Sequence, residues 1–171
     1  PARAGRSRWA AIGAAIAVSV GAGGALTTWA GTSGAQPTVF VPMTPCRLLD
    51  TRPAPDNVGG RDTALGPTEV FATAGRGTVG NCTIPAEATA LSMNVAVINP
   101  SAASFLTVYP ADADRPVSAN LNWVSRQAPT PNAVTAGLSS DGRLALFNLA
   151  GTVDVAIDVV GYYAPAKQAL T

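Results

Sequence analysis

Histidine is missing from the chain altogether, and cysteine and methionine occur only twice each. Without histidine, the commonest general base near neutral pH and the commonest metal ligand are gone. Ser-His-Asp and Cys-His devices are therefore impossible. Two cysteines cannot supply the four nitrogen or sulfur ligands of a structural zinc site. Glutamate is nearly absent too, at Glu69 and Glu87 alone. Each sits near the edge of a predicted strand with no apolar pocket around it, whereas a glycosidase needs two carboxylates facing each other across a cleft. Neither catalysis nor a cofactor is expected.

Charge is also scarce. Charged residues make up 12% of the sequence and hydrophobic ones 47%, against about a quarter charged in an ordinary soluble domain. The few charges are unevenly placed. The first 35 residues hold three of the eleven basic residues, Arg3, Arg6 and Arg8, and none of the ten acidic ones, so the rest carries a net −2. Beyond residue 10 no basic cluster offers a footprint for phosphate, and nucleic-acid binding is excluded as a function class.

What the N-terminus does contain is an ordered series of segments. Basic residues 1–8 precede the uncharged, apolar run Trp9–Leu26, and small polar residues continue to Gln36. That is the order of a signal peptide, with cleavage after Ser33-Gly34-Ala35 leaving Gln36 as the mature start. The alternative is a retained, helix-like anchor, since residues 9–26 are just long enough to span a bilayer. Against it, Gly13, Gly21, Gly23 and Gly24 lower both hydrophobicity and helix propensity. Residues 1–35 are read as signal peptide or anchor, with membrane contact only through residues 9–26 if they are uncleaved. Either way the remainder is exported. In an oxidising compartment Cys46 and Cys82 are expected to form one disulfide. It would close a loop of about 37 residues and contribute roughly 3–4 kcal/mol.

From residue 36 onward helical periodicity gives way to short alternating or β-branched runs punctuated by Gly, Pro, Asn and Asp. Strands are predicted at Thr38–Val41, Arg47–Asp50, Glu69–Thr73, Ala90–Ile98, Phe105–Tyr109, Asn120–Trp123, Ala133–Leu138, Arg143–Asn148 and Thr152–Tyr163. Ser139-Ser140-Asp141-Gly142 predicts a hairpin joining the strands on either side of it, and Ala150-Gly151 a second. Pro53–Pro67 reads as a long loop, and Ala164–Thr171 as a flexible tail. The fold expected for 36–163 is all-β, a single antiparallel β-sandwich of jelly-roll-like type.

Several blocks carry a resemblance. Phe40-Val41-Pro42 and Thr44-Pro45-Cys46-Arg47-Leu48-Leu49-Asp50-Thr51-Arg52 come first, then Gly80-Asn81-Cys82-Thr83-Ile84-Pro85. Met93-Asn94-Val95 with Asn99-Pro100 is next, then Leu106 to Pro110, Ser118 to Asn122 and Pro131 to Val134, and finally Asp158-Val159-Val160-Gly161-Tyr162-Tyr163. In that order, over about residues 38–163, they resemble the blocks of a β-sandwich module of secreted bacterial proteins. Such modules are repeated in surface proteins or appended to hydrolases, and have no established activity. The resemblance implies a binding or structural role. The single copy, the lack of a catalytic neighbour and a longer stretch at Arg76–Val79 favour a stand-alone one.

Four groups of residues are candidates for chemistry. Arg47, Asp50 and Arg52 either read a ligand carboxylate or close one end of the sandwich beside Cys46 as a partly buried ion pair; the structural role is the expectation. On the last strand, Val153, Val155, Ile157 and Val159 are expected to face the core, and Asp154 and Asp158 the other way with Ala156, Val160 and Tyr162. A carboxylate among apolar neighbours needs a partner, so Asp158 is expected to meet the arginine cluster, bringing the first and last strands together. The pairs Asp154/Asp158 and Asp112/Asp114 supply too few oxygens for Ca²⁺. Asn94, Asn120, Asn122 and Asn132 are unusual in strands. They bond loop backbones or build a sugar-reading face, for which Asn120, Asn122, a stacking Trp123 and Tyr109 are the candidate glycan contacts. Asn81-Cys82-Thr83 matches the N-glycosylation pattern, but a half-cystine within it argues against use. The function expected is a non-catalytic structural or interaction module of the cell envelope, with a second copy of itself as partner in a surface assembly; the alternative is a module that binds cell-wall or extracellular glycan.

Overall fold

The computed structural model describes residues 37–166. The chain divides into two units, Pro1–Gly34 and Ala35–Thr171, and the described residues belong to the second. The signal or anchor expected at residues 1–35, and residues 167–171 of the expected tail, lie outside the described residues.

The fold is all-β. The ten strands among the described residues are β1 (Thr38–Asp50), β2 (Glu69–Ala74), β3 (Gly77–Val79), β4 (Cys82–Ile84), β5 (Ala90–Ile98), β6 (Ser104–Pro110), β7 (Leu121–Trp123), β8 (Thr130–Gly137), β9 (Arg143–Asn148) and β10 (Asp154–Pro165). They form two four-stranded sheets, ordered β1-β10-β5-β8 and β2-β9-β6-β7, and a small β3-β4 ribbon. Every pairing is antiparallel.

Alternation explains which side chains fill the core. On β5, Leu91, Met93, Val95 and Val97 are buried while Asn94 between them is exposed. On β10, Val155, Ile157 and Val159 are fully buried, as expected. Both sheets feed one core, where these side chains join Leu106, Val108, Leu121, Trp123, Leu144 and Leu146 of the second sheet. Each such side chain contributes roughly 1.5–3 kcal/mol relative to exposure. A smaller cluster of Tyr109, Ala145 and Phe147 lies apart from that core. The Arg115 guanidinium stands over the Phe147 ring, 4.1 Å from its centroid.

Several expectations needed revision. The two predicted strands at Thr38–Val41 and Arg47–Asp50 are one strand, β1, whose pairing with β10 slips between Pro42 and Cys46 and again between Arg47 and Leu49. Pro42 and Pro45 lack N–H donors, which an edge strand tolerates. Ser139–Gly142 does make a tight turn, with Gly142 N–H donating to the Ser139 carbonyl at 2.8 Å. Yet β8 and β9 belong to different sheets, as do β9 and β10. Turn chemistry is local, while pairing is decided by which apolar faces meet.

A further slip lies in β10, between Val159 and Gly161. One extra residue turns the remainder of the strand over, so its faces exchange. Tyr162 consequently packs against the core, not beside Asp158 and Val160 as expected. The expected tail also begins too early, because Ala164 is fully buried and Pro165 pairs with Thr38. The β3-β4 ribbon was not foreseen, although Gly80-Asn81 is a hairpin signal between β-branched residues. Only glycine fits there: Gly80 has φ +56, and a Cβ would lie 2.4 Å from the Leu48 carbonyl oxygen.

Registers fix the two ends of the module. Thr38 lies opposite Pro165, and the Ala166 N–H donates to the Pro37 carbonyl at 2.9 Å. The chain thus enters and leaves side by side. At the opposite end lie the connections after β1, β5, β7 and β9. They are tied to one another by backbone bonds from Thr68 to Leu149, Arg126 to Pro100 and Ser101 to Thr152. Among the described residues, the three non-glycine residues with positive φ, Thr68, Asn99 and Arg126, all sit in these connections. The long loop is fastened as well. Leu65 is fully buried and exchanges backbone hydrogen bonds with Val153. Arg61 pairs with Glu69, donates to the carbonyls of Thr63 and Ala64, and stands over the Phe71 ring.

Candidate functional site

The arginine cluster assembles as expected. Arg47 and Asp158 are register partners across β1 and β10. The Arg47 guanidinium donates to both carboxylate oxygens of Asp158, with Nη2 at 3.1 Å from Oδ2, and its Nη1 donates to Asp50. Arg52 grips Asp50 from the other side, donating from Nε at 3.0 Å and from Nη2 at 2.7 Å, and its Nη1 lies 3.0 Å from Asp56. The row Asp158–Arg47–Asp50–Arg52–Asp56 alternates in sign. Its central carboxylate, Asp50, is fully buried. Burial alone would raise the Asp50 pKa, but hydrogen bonds from the Arg52 side chain and backbone, with the charges of Arg52 and Arg47, together hold it below its ordinary value. The Arg47 pKa is raised, chiefly by its bond to Asp158. The Cys46–Cys82 disulfide is formed beside this row, with Cα atoms 5.3 Å apart. Both arginines are fully engaged with this chain's own acids, so the arrangement ties strands and leaves no fork open to a ligand.

Two further acids are also committed. Asp154, expected on the face away from the core, is buried and accepts from Thr51 Oγ1 at 3.3 Å and Asn99 Nδ2 at 3.2 Å. Asp112 accepts from the Ser140 N–H at 2.7 Å, which lowers its pKa. Among the described residues no three acids or cysteines converge as metal ligands.

The expected stacking platform is overturned. Trp123 is 5% exposed, points into the core and donates from Nε1 to the Ala102 carbonyl at 3.0 Å. Alternation on β7 puts Leu121 and Trp123 inward and leaves Asn122 outside. Tyr109 is buried too. No aromatic ring is left for a sugar at either position.

Asn120, Asn122 and Asn132 do come together. With Leu121, Thr130 and Pro131 they line a shallow hollow of about 260 Å³ between β7 and β8. These two strands end their sheets on the same side, one per sheet. Asn120 Oδ1 accepts from the Val108 N–H at 2.7 Å, and Asn132 Nδ2 donates to the Asn120 carbonyl at 2.7 Å. Both amides are thereby fixed. Neither the Nδ2 of Asn120 nor the Oδ1 of Asn132 has a partner among the described residues, and Asn122 bonds nothing there. Asn132 bonds a loop backbone as expected, whereas Asn120 bonds strand β6 and the Asn122 side chain has no partner among the described residues. Asn94 lies apart on β5, opposite Asp158 and Ala133.

A second hollow, about 300 Å³, is lined by Asn57, Gly59, Gly60, Arg61 and Asp62. Its Asn57 amide donates to the carbonyls of Asp50 and Arg61, and Arg61 is committed to Glu69. Its Asp62 carboxylate has no partner among the described residues. No protein-family model matches the chain, and a search of curated proteins finds no match either.

Proposed function

We propose that this chain carries an exported, non-catalytic module of the bacterial cell envelope, folded as a jelly-roll β-sandwich, which works as a structural and interaction element. The sheet orders β1-β10-β5-β8 and β2-β9-β6-β7 support the jelly-roll reading, because an eight-stranded jelly roll interleaves its strands between two sheets in this way. The β3-β4 ribbon is then an insertion.

The observation that carries the role is where the chain enters and leaves the β-sandwich. Pro37 and Ala166 are hydrogen-bonded neighbours, so a leader, anchor or neighbour on either side joins at one end. The cross-tied loops are left at the other end. Rigid, strained loops at the free end of a tethered module suit recognition, because ordering cost has been met before a partner arrives. The disulfide in the β1 seam supports an oxidising compartment. The outer strands of the two sheets supply edges through which a second copy would pair.

The reading is tested on native material. Protease treatment of intact cells should remove the module, and its cysteines should resist thiol labelling unless reduced. A protein retained in the cytoplasm with two labelled cysteines would overturn the proposal. Size-exclusion chromatography with negative-stain imaging decides assembly: a strictly monomeric, cleaved protein removes that part.

A further inference from the structure

The three asparagines between β7 and β8 keep donors and acceptors that no other described residue uses. We infer that the hollow lined by Asn120, Asn122 and Asn132 is a subsite for one residue of a neutral oligosaccharide, an inference that rests on reading the module as an exported interaction element.

Three observations lead there. The first is hydrogen-bonding capacity. A carboxamide offers two N–H donors and two acceptor lone pairs. Asn120 is held through its Oδ1, and its Nδ2 remains to donate. Asn132 is held through one Nδ2 hydrogen, and its Oδ1 remains to accept. Asn122 next to them has its full set. Fixed donors and acceptors side by side match adjacent hydroxyl groups, each of which both gives and takes a hydrogen bond.

The second is charge. None of the six lining residues is ionisable. Sulfate, phosphate and uronate groups would find no counter-charge here, so the ligand is neutral. The third is the mixed character of the lining. Leu121 forms buried floor and Pro131 stands exposed. An apolar surface beside amides fits a pyranose, which has C–H faces and a hydroxyl rim. The Thr130 hydroxyl accepts from Gln127 Nε2 and donates to the Ala128 carbonyl, so it has no donor left for a sugar. Without an aromatic platform the subsite is weak, with dissociation constants near the millimolar range, and it acts through repetition along a polymer or across neighbouring modules.

The test uses the full chain, isotope-labelled, titrated separately with maltotriose, triacetylchitotriose and trigalacturonate while the side-chain amide signals are followed. At least one of the two neutral trisaccharides should shift the signals of Asn120, Asn122 and Asn132, equally at low and high salt. Asn122→Ala, on an exposed side chain, should keep the melting temperature and weaken binding about fivefold, the loss of one neutral hydrogen bond. Asn132→Ala should weaken it further. The inference is overturned if neither neutral sugar moves these signals, if the shifts map to the loops at the far end, if trigalacturonate binds more tightly, or if Asn122→Ala binds as the parent does. None of those results bears on export or on the disulfide, which are read by surface proteolysis and thiol labelling.

Discussion

The two sides of the module differ in what their polar groups do. On the β1 side, Arg47, Asp50, Arg52 and Asp158 are joined to one another and stand beside the disulfide. On the β7–β8 side no lining residue is charged, and amides keep free bonding positions. Strong pairing on one side ties the first strand to the last and to the connection after β1; on the other side pairing is incomplete and leaves bonding positions over. A charged cluster is the feature that attracts attention in a low-charge chain, yet its groups are spent on one another, and it is the neutral side that keeps unpaired amide positions among the described residues.

The largest effect expected is at Trp123, on the neutral side but inside the core. Trp123→Ala should cost about 4 kcal/mol, as large core truncations do, measured by urea denaturation. An inert substitution would return this residue to the surface and restore it as a platform. Next is the charged side's covalent tie: replacing Cys46 and Cys82 by alanine should cost roughly 3–4 kcal/mol, read by the same method against the oxidised parent. A double variant as stable as the parent would show that the seam does not depend on the disulfide.

Acid sharpens the contrast. Asp50 and Glu69 both titrate below their ordinary values, Asp50 because its arginine contacts outweigh burial and Glu69 chiefly because Arg61 donates to it. A carboxylate with a depressed folded pKa stabilises fully above its unfolded value and loses that contribution as pH falls through the folded one. Stability should therefore drop below about pH 4, and the drop should be shallower in Asp50→Asn and Glu69→Gln. A double variant with the parent's acid profile would contradict the assignment. Smallest is the effect of Asn122→Ala on folding, expected within about 0.5 kcal/mol and unchanged across the same pH range.

Much of this was legible in the residues. Alternation located β5 at Ala90–Ile98 with the correct inward face, since a half-buried strand carries its periodicity openly. The reasoning that an acid among apolar residues needs a partner brought Asp158 to Arg47 and β1 to β10. What failed was non-local or a matter of one residue. The slip in β10 turned Tyr162 inward, and nothing in the alternation announces a bulge. Asp154 lies in the same strand as Asp158, but its partners Thr51 and Asn99 come from connections whose positions depend on the whole fold. Trp123 was offered as a platform because aromatic rings serve sugars. The alternation of Leu121, Asn122 and Trp123 already assigned the indole to the same face as leucine. The asparagines were singled out by type, but only the meeting of two sheet edges shows that three of them share a hollow.

The central claim is that the charged side is a structural tie between the first and last strands. A double-mutant cycle between Arg47 and Asp158 tests it most directly, with Arg47→Ala, Asp158→Ala and the pair compared by equilibrium denaturation. The account predicts a favourable coupling of about 1 kcal/mol, smaller than for a fully buried pair because both side chains keep partial exposure. Strictly additive losses, with no coupling between the two positions, would contradict it.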